Sequence, residues 1–229
     1  MNIARIFDSI AKRYDITNHI TSFGTHLLWK KVLVKESLYF LSSSHSKMLD
    51  IACGTGDIIA IAKKLEPSLQ IFGIDPSLEM LKIAECRLNF VRKPFLIKGF
   101  AENLPFEEGT FNLITVSFGV RNFSDRRKAF KEIFRVLEPK GIFSILEFSK
   151  PDNGNLIQNL SWFYTRKLVP ILGGVLTHQQ EAYKYLVHSI EDFPLPAQLT
   201  REVEEVGFSP LRVKRLFPPI AVLYIFRKL

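Results

Sequence analysis

Long apolar runs and closely spaced cysteines are both missing from this sequence of 229 residues. No stretch approaches the roughly 18 uninterrupted apolar residues that a membrane-spanning helix requires, and the first residues lack the apolar core of a signal peptide. The two cysteines, Cys53 and Cys86, lie far apart, and their spacing fits neither a zinc site nor a disulfide framework. These absences predict a cytosolic protein with reduced thiols and no metal ion.

Internal repeats and low-complexity tracts are also absent, and the composition is typical of a globular protein. The length allows one large core but is short for two domains of ordinary size, so we expect one domain over residues 1–229. Lys and Arg outnumber Asp and Glu by 31 to 23, which gives a net charge of +8 and favours an anionic partner, either nucleic acid or anionic lipid. The basic residues are scattered, as on an ordinary solvated surface.

Short apolar runs alternate with helical patterns from Met48 to Phe148, which is typical of successive βαβ units in a parallel sheet. Apolar periodicity predicts helices at about 58–65, 76–88 and 125–137. The predicted strands are 48–52, 70–74, 95–97, 111–117 and 142–148. Right-handed crossovers between these strands predict helices on both faces of the sheet and ligands at the carboxyl ends of the strands.

The domain divides into four segments. An N-terminal helical cap covers residues 1–45, and the α/β core covers residues 46–150. A helical insertion rich in aromatic residues covers residues 151–200. The last segment, residues 201–229, contains two strands joined by a Pro-Pro pair, which predicts an antiparallel hairpin at the edge of the sheet.

Two glycines, Gly54 and Gly56, lie between the first strand and the helix that follows it. Glycine lets a ligand approach the backbone closely, and the free N–H groups of the helix N-terminus favour an anionic group such as a carboxylate. Asp75 ends the second strand about 20 residues further on, where an acidic side chain accepts hydrogen bonds from both ribose hydroxyls. The pattern predicts a nucleotide site.

Such a turn serves either a nicotinamide dinucleotide or S-adenosylmethionine. The dinucleotide fingerprint requires a third small residue that packs the helix on the strand, and this chain has Ile59 there. The acidic first strand and its D-x-A-C-G-T-G turn look like the first motif of class I methyltransferases. We therefore favour S-adenosylmethionine, and a structural glycine turn without a ligand stays an alternative.

The chain resembles the ubiquinone/menaquinone-biosynthesis C-methyltransferases over nearly its whole length. The segments that carry the resemblance are 7–15, the glycine turn, 101–106, 117–122 and 146–151. The resemblance implies a class I S-adenosylmethionine-dependent methyltransferase. Its fold is a doubly wound, mostly parallel seven-stranded α/β sheet with an antiparallel last strand and helical insertions. Residues 46–150 then bind the methyl donor, and residues 151–200 bind the substrate.

The same resemblance implies which residues contact S-adenosylmethionine. Besides Gly54 and Gly56, these are Thr55, Asp75, the pair Phe100 and Ala101, and Ser117. The family commonly has Asn or Asp at the position of Phe100. Without that polar side chain, only the backbone at this position remains to contact the adenine. Cys53 similarly replaces a common glycine.

For catalysis, the resemblance implies that Arg121 and Asn122 organise a substrate hydroxyl and a water that relays its proton, with Tyr14 contributing. Arginine stays protonated in almost any site, so we assign Arg121 to stabilising a phenolate. Two questions stay open. Tyr14 is equally well explained as a residue of the core, and Glu147 is either a catalytic base or the ion-pair partner of a nearby cation. We expect the histidines, His26 among them, to be surface or satisfied polar residues.

The implied substrate is the ring carbon of a lipid quinone precursor, demethylmenaquinol or its ubiquinone-pathway equivalent. An isoprenoid tail and the basic charge predict transient docking to the cytoplasmic face of the inner membrane. A homodimer through residues 183–193 is a further hypothesis. The alternatives are a methyltransferase for a small phenolic or sterol acceptor and a basic nucleic-acid-binding protein on a Rossmann-like scaffold. Against the latter, the chain lacks an appended RNA-binding module.

Overall fold

The computed structural model describes the backbone of most of the chain, namely residues 8, 11, 15–16, 18–41, 46–88, 94–152, 155–171, 174 and 180–229. The strands in these residues form one seven-stranded sheet. They are β1 (Lys47–Ile51), β2 (Gln70–Asp75), β3 (Phe95–Lys98), β4 (Phe111–Ser117), β5 (Leu137–Phe148), β6 (Phe208–Leu216) and β7 (Ala221–Lys228).

The order of strands across the sheet is β3-β2-β1-β4-β5-β7-β6. The first five strands pair in parallel, whereas β7 runs antiparallel to both β5 and β6. The predicted fold, including its antiparallel last strand, is confirmed. Ile51 of β1 pairs with Ile74 of β2 and with Val116 of β4, so these three strands end at one level.

Helices cover both faces of the sheet, as the two packed clusters of apolar residues show. On one face, Trp29 and Leu33 join Ile58 in a buried cluster, and on the other Phe130 and Leu199 are buried. The helices with described bounds are α1 (Thr25–Tyr39), α2 (Asp57–Leu65), α3 (Leu78–Arg87), α4 (Arg126–Val136), α5 (Leu156–Phe163), α6 (Gln180–Glu191) and α7 (Pro196–Glu204). A 3₁₀ turn covers Val120–Asn122, and a π-helical turn, Tyr164–Leu168, follows α5.

Local chemistry explains where the core helices begin. The Ser77 hydroxyl accepts a hydrogen bond from the Met80 N–H ahead of α3, and the Asp125 carboxylate accepts one from the Lys128 N–H ahead of α4. Both are N-caps, which satisfy backbone donors that lack a partner inside the helix. None of the described helices is long and apolar enough to cross a membrane.

Strand β5 differs from its predicted bounds of 142–148, because it begins at Leu137. Leu137 pairs with Phe111 of β4, and the register then shifts so that Ile142 pairs with Leu113. The Pro-Lys-Gly sequence that predicts the end of a helix therefore lies in an irregularity of the strand. Lys140 has a φ of 65° there, which accommodates the extra residues.

Candidate active site

The turn after β1 has a left-handed backbone at several residues. Ala52 and Gly54 both have a φ of 54°, and Gly56 has a φ of 85°. A Cβ at Gly54 would have no atom within 4 Å, whereas a Cβ at Gly56 would lie 2.6 Å from Leu88 Cδ1. Gly54 therefore borders open space at the ends of the strands, while Gly56 is packed against the end of α3.

This contrast predicts different costs for the two alanine substitutions. Both variants place a side chain in the left-handed region, which costs about 1–2 kcal/mol. Gly56→Ala also overpacks the contact with Leu88, which adds about 1–3 kcal/mol. Chemical denaturation should therefore find Gly56→Ala clearly less stable than Gly54→Ala. Equal stability of the two variants would contradict the packing at Gly56.

Asp75 lies at the end of β2, where its carboxylate is tied to the glycine turn. Asp75 Oδ2 accepts a hydrogen bond from the Gly54 N–H at 2.9 Å, and Oδ1 accepts one from the Ser77 N–H at 2.9 Å. Burial raises the pKa of Asp75 above its ordinary value, against the lowering effect of the two backbone donors, and the negative charge of Asp8 raises it further. The carboxylate keeps free lone pairs for further donors.

Two acidic residues before α1 contact the same region. The Thr55 hydroxyl donates to Asp15 Oδ1 at 2.7 Å, and the Ser77 hydroxyl donates to Asp8 Oδ1. Asp15 also pairs with Arg87 at 3.2 Å. The cap segment therefore reaches over the glycine turn. Tyr14 lies outside the described residues.

The remaining predicted cofactor residues follow neighbouring strands. Ser117 is the last residue of β4, and its buried Oγ has no hydrogen-bond partner among the described residues. Ala101 is buried after β3, whereas the side chain of Phe100 is 57% exposed. The ends of β1, β2 and β4 thus bring Gly54, Asp75 and Ser117 to one edge of the sheet.

Asp50 is a residue of this edge to which the sequence pattern gave no role. It lies within β1, opposite Thr115 of β4, whose hydroxyl donates to Oδ1 at 2.7 Å. Its Oδ2 is buried without a partner among the described residues. Burial raises the pKa of Asp50 to about 7. Asp50 is the acidic residue of the D-x-A-C-G-T-G motif, and the motif by itself predicts no contact for its side chain.

Arg121 and Glu147 form a buried ion pair between the end of β4 and the end of β5. Arg121 Nη1 donates to Glu147 Oε1 at 2.6 Å and to the Phe118 carbonyl at 2.7 Å. The two side chains are 6% and 0% exposed. Arg121 Nε is buried without a hydrogen-bond partner among the described residues. Of the two roles left open for Glu147, the structure shows the partner of a cation.

A cavity of about 370 Å³ lies beside this pair. Its surface is mainly apolar, and one wall is aromatic: the rings of Phe118 and Phe148 stack with centroids 4.4 Å apart, and the ring centroid of Trp29 lies 6.3 Å from each. Arg121 lines the cavity, and Tyr185, which also lines it, donates to Asn122 Oδ1 at 3.0 Å. Its lining does not include the predicted cofactor residues Thr55, Asp75, Phe100, Ala101 and Ser117.

His26 also lines the cavity, and it is a buried polar residue rather than a surface one. Its Nδ1 lies 2.7 Å from Ser22 Oγ. Burial, together with the positive charge of Lys30, lowers the pKa of His26 to about 4. The imidazole is therefore neutral at neutral pH. Sequence reasoning missed His26 and Tyr185 because each belongs to a helix whose placement against the sheet is not set by local pattern.

The low pKa of His26 predicts a pH-dependent stability. The unfolded chain protonates this imidazole near pH 6.5 and the folded chain near pH 4, so the unfolded state binds more protons between these values. Protonation of His26 should therefore lower the free energy of unfolding by up to about 3 kcal/mol as the pH drops through this window. Buried Asp50 acts with the opposite sign in both proteins, so the contribution of His26 is the difference between the wild type and His26→Gln. Urea denaturation at several pH values should show the wild type losing stability relative to His26→Gln as the pH falls, and a constant difference would contradict a neutral buried imidazole.

The fold is that of S-adenosylmethionine-dependent methyltransferases. A solved Thermotoga maritima structure described as a SAM-dependent methyltransferase, possible histamine N-methyltransferase, matches with a TM-score of 0.65 and 20% sequence identity, and 99% of each chain is covered. At this identity the likeness establishes the architecture and says nothing about the methyl acceptor.

Sequence comparison identifies the family. The chain matches the ubiE/COQ5 methyltransferase family over residues 1–227. A Thermotoga maritima protein named demethylmenaquinone methyltransferase is 40% identical over 221 residues, which cover 96% of this chain and 93% of the relative. A Campylobacter jejuni protein named ubiquinone/menaquinone biosynthesis C-methyltransferase UbiE is 37% identical over 232 residues, which cover 99% and 97%.

This chain belongs to the ubiE/COQ5 methyltransferase family. The resemblance predicted from the sequence motifs is confirmed, and so are the enzyme class and S-adenosylmethionine as the methyl donor. The alternative of a nucleic-acid-binding protein on the same scaffold is not favoured.

Proposed function

We propose that this enzyme transfers a methyl group from S-adenosylmethionine to a ring carbon of a polyprenyl hydroquinone, either demethylmenaquinol or the corresponding ubiquinone precursor. The observation that carries the proposal is the cavity, which combines a mainly apolar surface and an aromatic wall with polar side chains, among them Arg121, His26 and Tyr185. A flat ring with hydroxyl groups and an apolar tail suits such a lining. The names of the two relatives point to the same substrate class.

The residues at the strand ends fit S-adenosylmethionine. The space above Gly54 is open, the buried Ser117 Oγ lacks a partner among the described residues, and the Asp75 carboxylate retains acceptor capacity. We assign the methionine end of the cofactor to Gly54, Thr55 and Gly56, and the ribose to Asp75. The adenine is assigned to Phe100 and Ala101, with Ser117 completing the site.

Holding the acceptor is the main task of the cavity. S-adenosylmethionine supplies, when bound, an electrophilic methyl group that moves in an in-line displacement. Positioning an acceptor carbon at near-attack distance lowers such a barrier by roughly 7–11 kcal/mol. We assign the walls around Trp29, Phe118 and Phe148 to this positioning and to the exclusion of water.

The substrate hydroxyl must lose its proton to make the ring carbon electron-rich. Arg121 stabilises the resulting phenolate, because its guanidinium stays charged and its Nε–H lacks a partner among the described residues. Asn122 and Tyr185 orient the hydroxyl and a water that relays its proton to the bulk solvent. After methyl transfer, the hydrogen on the methylated ring carbon leaves to the solvent as a proton, which restores the aromatic ring. The low pKa of His26 does not suit it to hold either proton, so we assign it to accept a hydrogen bond from a ring hydroxyl. Tyr14 retains its predicted contributing role.

The segments of the chain divide this work within one domain. Residues 46–150 hold the cofactor, and the cap of residues 1–45 together with the insertion of residues 151–200 encloses the substrate. The cavity supports this division, since His26 of the cap and Tyr164 of the insertion both line it. We further propose that the enzyme is a cytoplasmic protein that works at the surface of the inner membrane, where a polyprenyl substrate resides.

Methyl-transfer assays with several acceptors test the function. The full chain is incubated with labelled S-adenosylmethionine and, in separate reactions, chemically reduced demethylmenaquinone, a prenylated benzohydroquinone, a simple phenol, a sterol and RNA. We expect label in one or both prenylated hydroquinones and in none of the other acceptors. Labelling of the phenol or sterol alone would establish the small-acceptor alternative instead.

A further inference from the structure

Helix α5 turns its apolar side chains outward. Four large apolar side chains of this helix are between 53 and 80% exposed: Leu156, Ile157, Leu160 and Phe163. The polar Gln158 of the same helix is buried, and so is Thr165 in the π-helical turn after it. A helix that packs on a core shows the opposite arrangement, with its apolar stripe facing inward. The outward apolar side of α5 therefore requires a partner other than the core.

Neighbouring side chains enlarge this apolar surface. Phe23 is 79% exposed, and its ring lies 6.0 Å from that of Tyr164. Exposed apolar side chains continue beyond the helix. We use the term α5 face for the surface formed by Phe23, Leu156, Ile157, Leu160, Phe163, Leu168 and Ile171. Contiguous exposed apolar surface of this kind marks an interaction site.

The α5 face is continuous with the cavity, because Phe23 and Leu160 belong to both. The cavity of about 370 Å³ is at the small end of ligand pockets, which hold roughly 300–1,000 Å³. It accommodates a quinone-sized ring and the beginning of a tail. The rest of a long isoprenoid chain must lie outside, and the α5 face is the apolar surface that it meets there.

Charge on the same stretch favours an anionic partner. Arg166 and Lys167, in the π-helical turn, are both exposed. Arg166 pairs with Glu191 at 3.0 Å, whereas Lys167 has no ion-pair partner in the part of the chain that the structure describes. The whole chain carries a net charge of +8. A two-fold contact between two copies would bring these cations together, but an anionic surface attracts them.

We propose that the α5 face docks on an anionic phospholipid bilayer, with its apolar side chains among the acyl chains and Lys167 at the headgroups. The acceptor ring then passes from the bilayer into the cavity without crossing water. This inference rests on the proposed function, since the continuity between face and cavity has this purpose only for a substrate with a lipid tail.

Vesicle flotation tests the docking with the full chain and vesicles of phosphatidylcholine, with and without phosphatidylglycerol. The double variant Leu156→Gln/Phe163→Gln removes two members of the α5 face that do not line the cavity. We expect its partition onto anionic vesicles to fall at least about tenfold. Lys167→Gln should lower the partition roughly fivefold at low salt and much less at high salt.

The matched control is Tyr39→Gln/Val213→Gln, which changes two exposed apolar side chains outside the α5 face and should bind vesicles like the wild type.

Turnover of an unprenylated naphthohydroquinone in solution should be unchanged in the Leu156/Phe163 variant, whereas turnover of a prenylated acceptor in vesicles should fall. If the wild type methylates no hydroquinone, the proposed function fails while flotation still reports on the face. Equal flotation of wild type and Leu156/Phe163 variant overturns the docking. The docking is also overturned if the wild type binds no vesicle but forms a dimer, and the Leu156/Phe163 variant does not.

Discussion

Glu147→Gln should lower the free energy of unfolding by about 3–5 kcal/mol, the usual cost of removing one partner from a buried ion pair. Glu147 is fully buried, and it accepts hydrogen bonds from Arg121 Nη1, from the Arg121 N–H and from the Phe148 N–H. Glutamine preserves the shape but leaves the guanidinium as an uncompensated buried charge. Chemical denaturation of both proteins at neutral pH measures the loss.

The matched control is Glu79→Gln. This substitution breaks the ion pair between Glu79, whose side chain is 45% exposed, and Lys82, whose side chain is 68% exposed. Exposed ion pairs contribute at most about 1 kcal/mol to the free energy of unfolding. A Glu147 variant no less stable than this control would contradict a buried charge pair.

The double variant Arg121→Met/Glu147→Leu separates stability from catalysis. Replacing both charges with apolar groups should recover most of the stability. Methyl transfer should nevertheless be lost in the double variant, because Arg121, the group assigned to the phenolate, is gone.

The sequence predicted the sheet well because its strands are short apolar runs separated by strong turn signals. The predicted bounds of β4 match the structure, and those of β1 and β2 differ by at most one residue at each end. The exception is the start of β5, where the backbone pairing of Leu137 with Phe111 extends the strand past a Pro-Lys-Gly breaker. Pairing between distant strands is a tertiary effect that a local pattern does not contain.

The meeting of Gly54, Asp75 and Ser117 at one edge of the sheet was equally predictable, since the carboxyl ends of parallel strands lie at the same edge. The cavity was not predictable in this way. Its polar groups come from the cap, the insertion and the 3₁₀ turn after β4, and they meet only through long-range contacts such as the hydrogen bond from Tyr185 to Asn122. Helical periodicity indicates which face of a helix is apolar, but it does not give the position of that helix over the sheet. His26 was expected to be a surface or satisfied polar residue; its hydrogen bond to Ser22 fits the second description, but its place in the cavity was not predicted.

Asp75→Asn should weaken the binding of S-adenosylhomocysteine, the demethylated product of the cofactor, by roughly 30- to 150-fold. The proposed ribose contacts are hydrogen bonds to a carboxylate, and losing the charge should cost about 2–3 kcal/mol of binding free energy. Asparagine keeps one side-chain oxygen for the Gly54 N–H or the Ser77 N–H, so the turn should still fold. Isothermal titration calorimetry measures the affinity, and thermal denaturation checks the fold.

The pH dependence of that affinity provides a second, independent measurement. Burial raises the pKa of Asp75, so the wild-type carboxylate becomes protonated at a higher pH than an exposed one as the solution is acidified. Wild-type affinity should fall as the pH drops through this raised pKa, and the affinity of the asparagine variant should change less. Asp125→Asn is the matched control, because asparagine caps α4 as well as aspartate does and Asp125 is not among the residues proposed to hold the cofactor. If a natively folded Asp75→Asn protein binds the product as tightly as this control, the ribose does not contact Asp75.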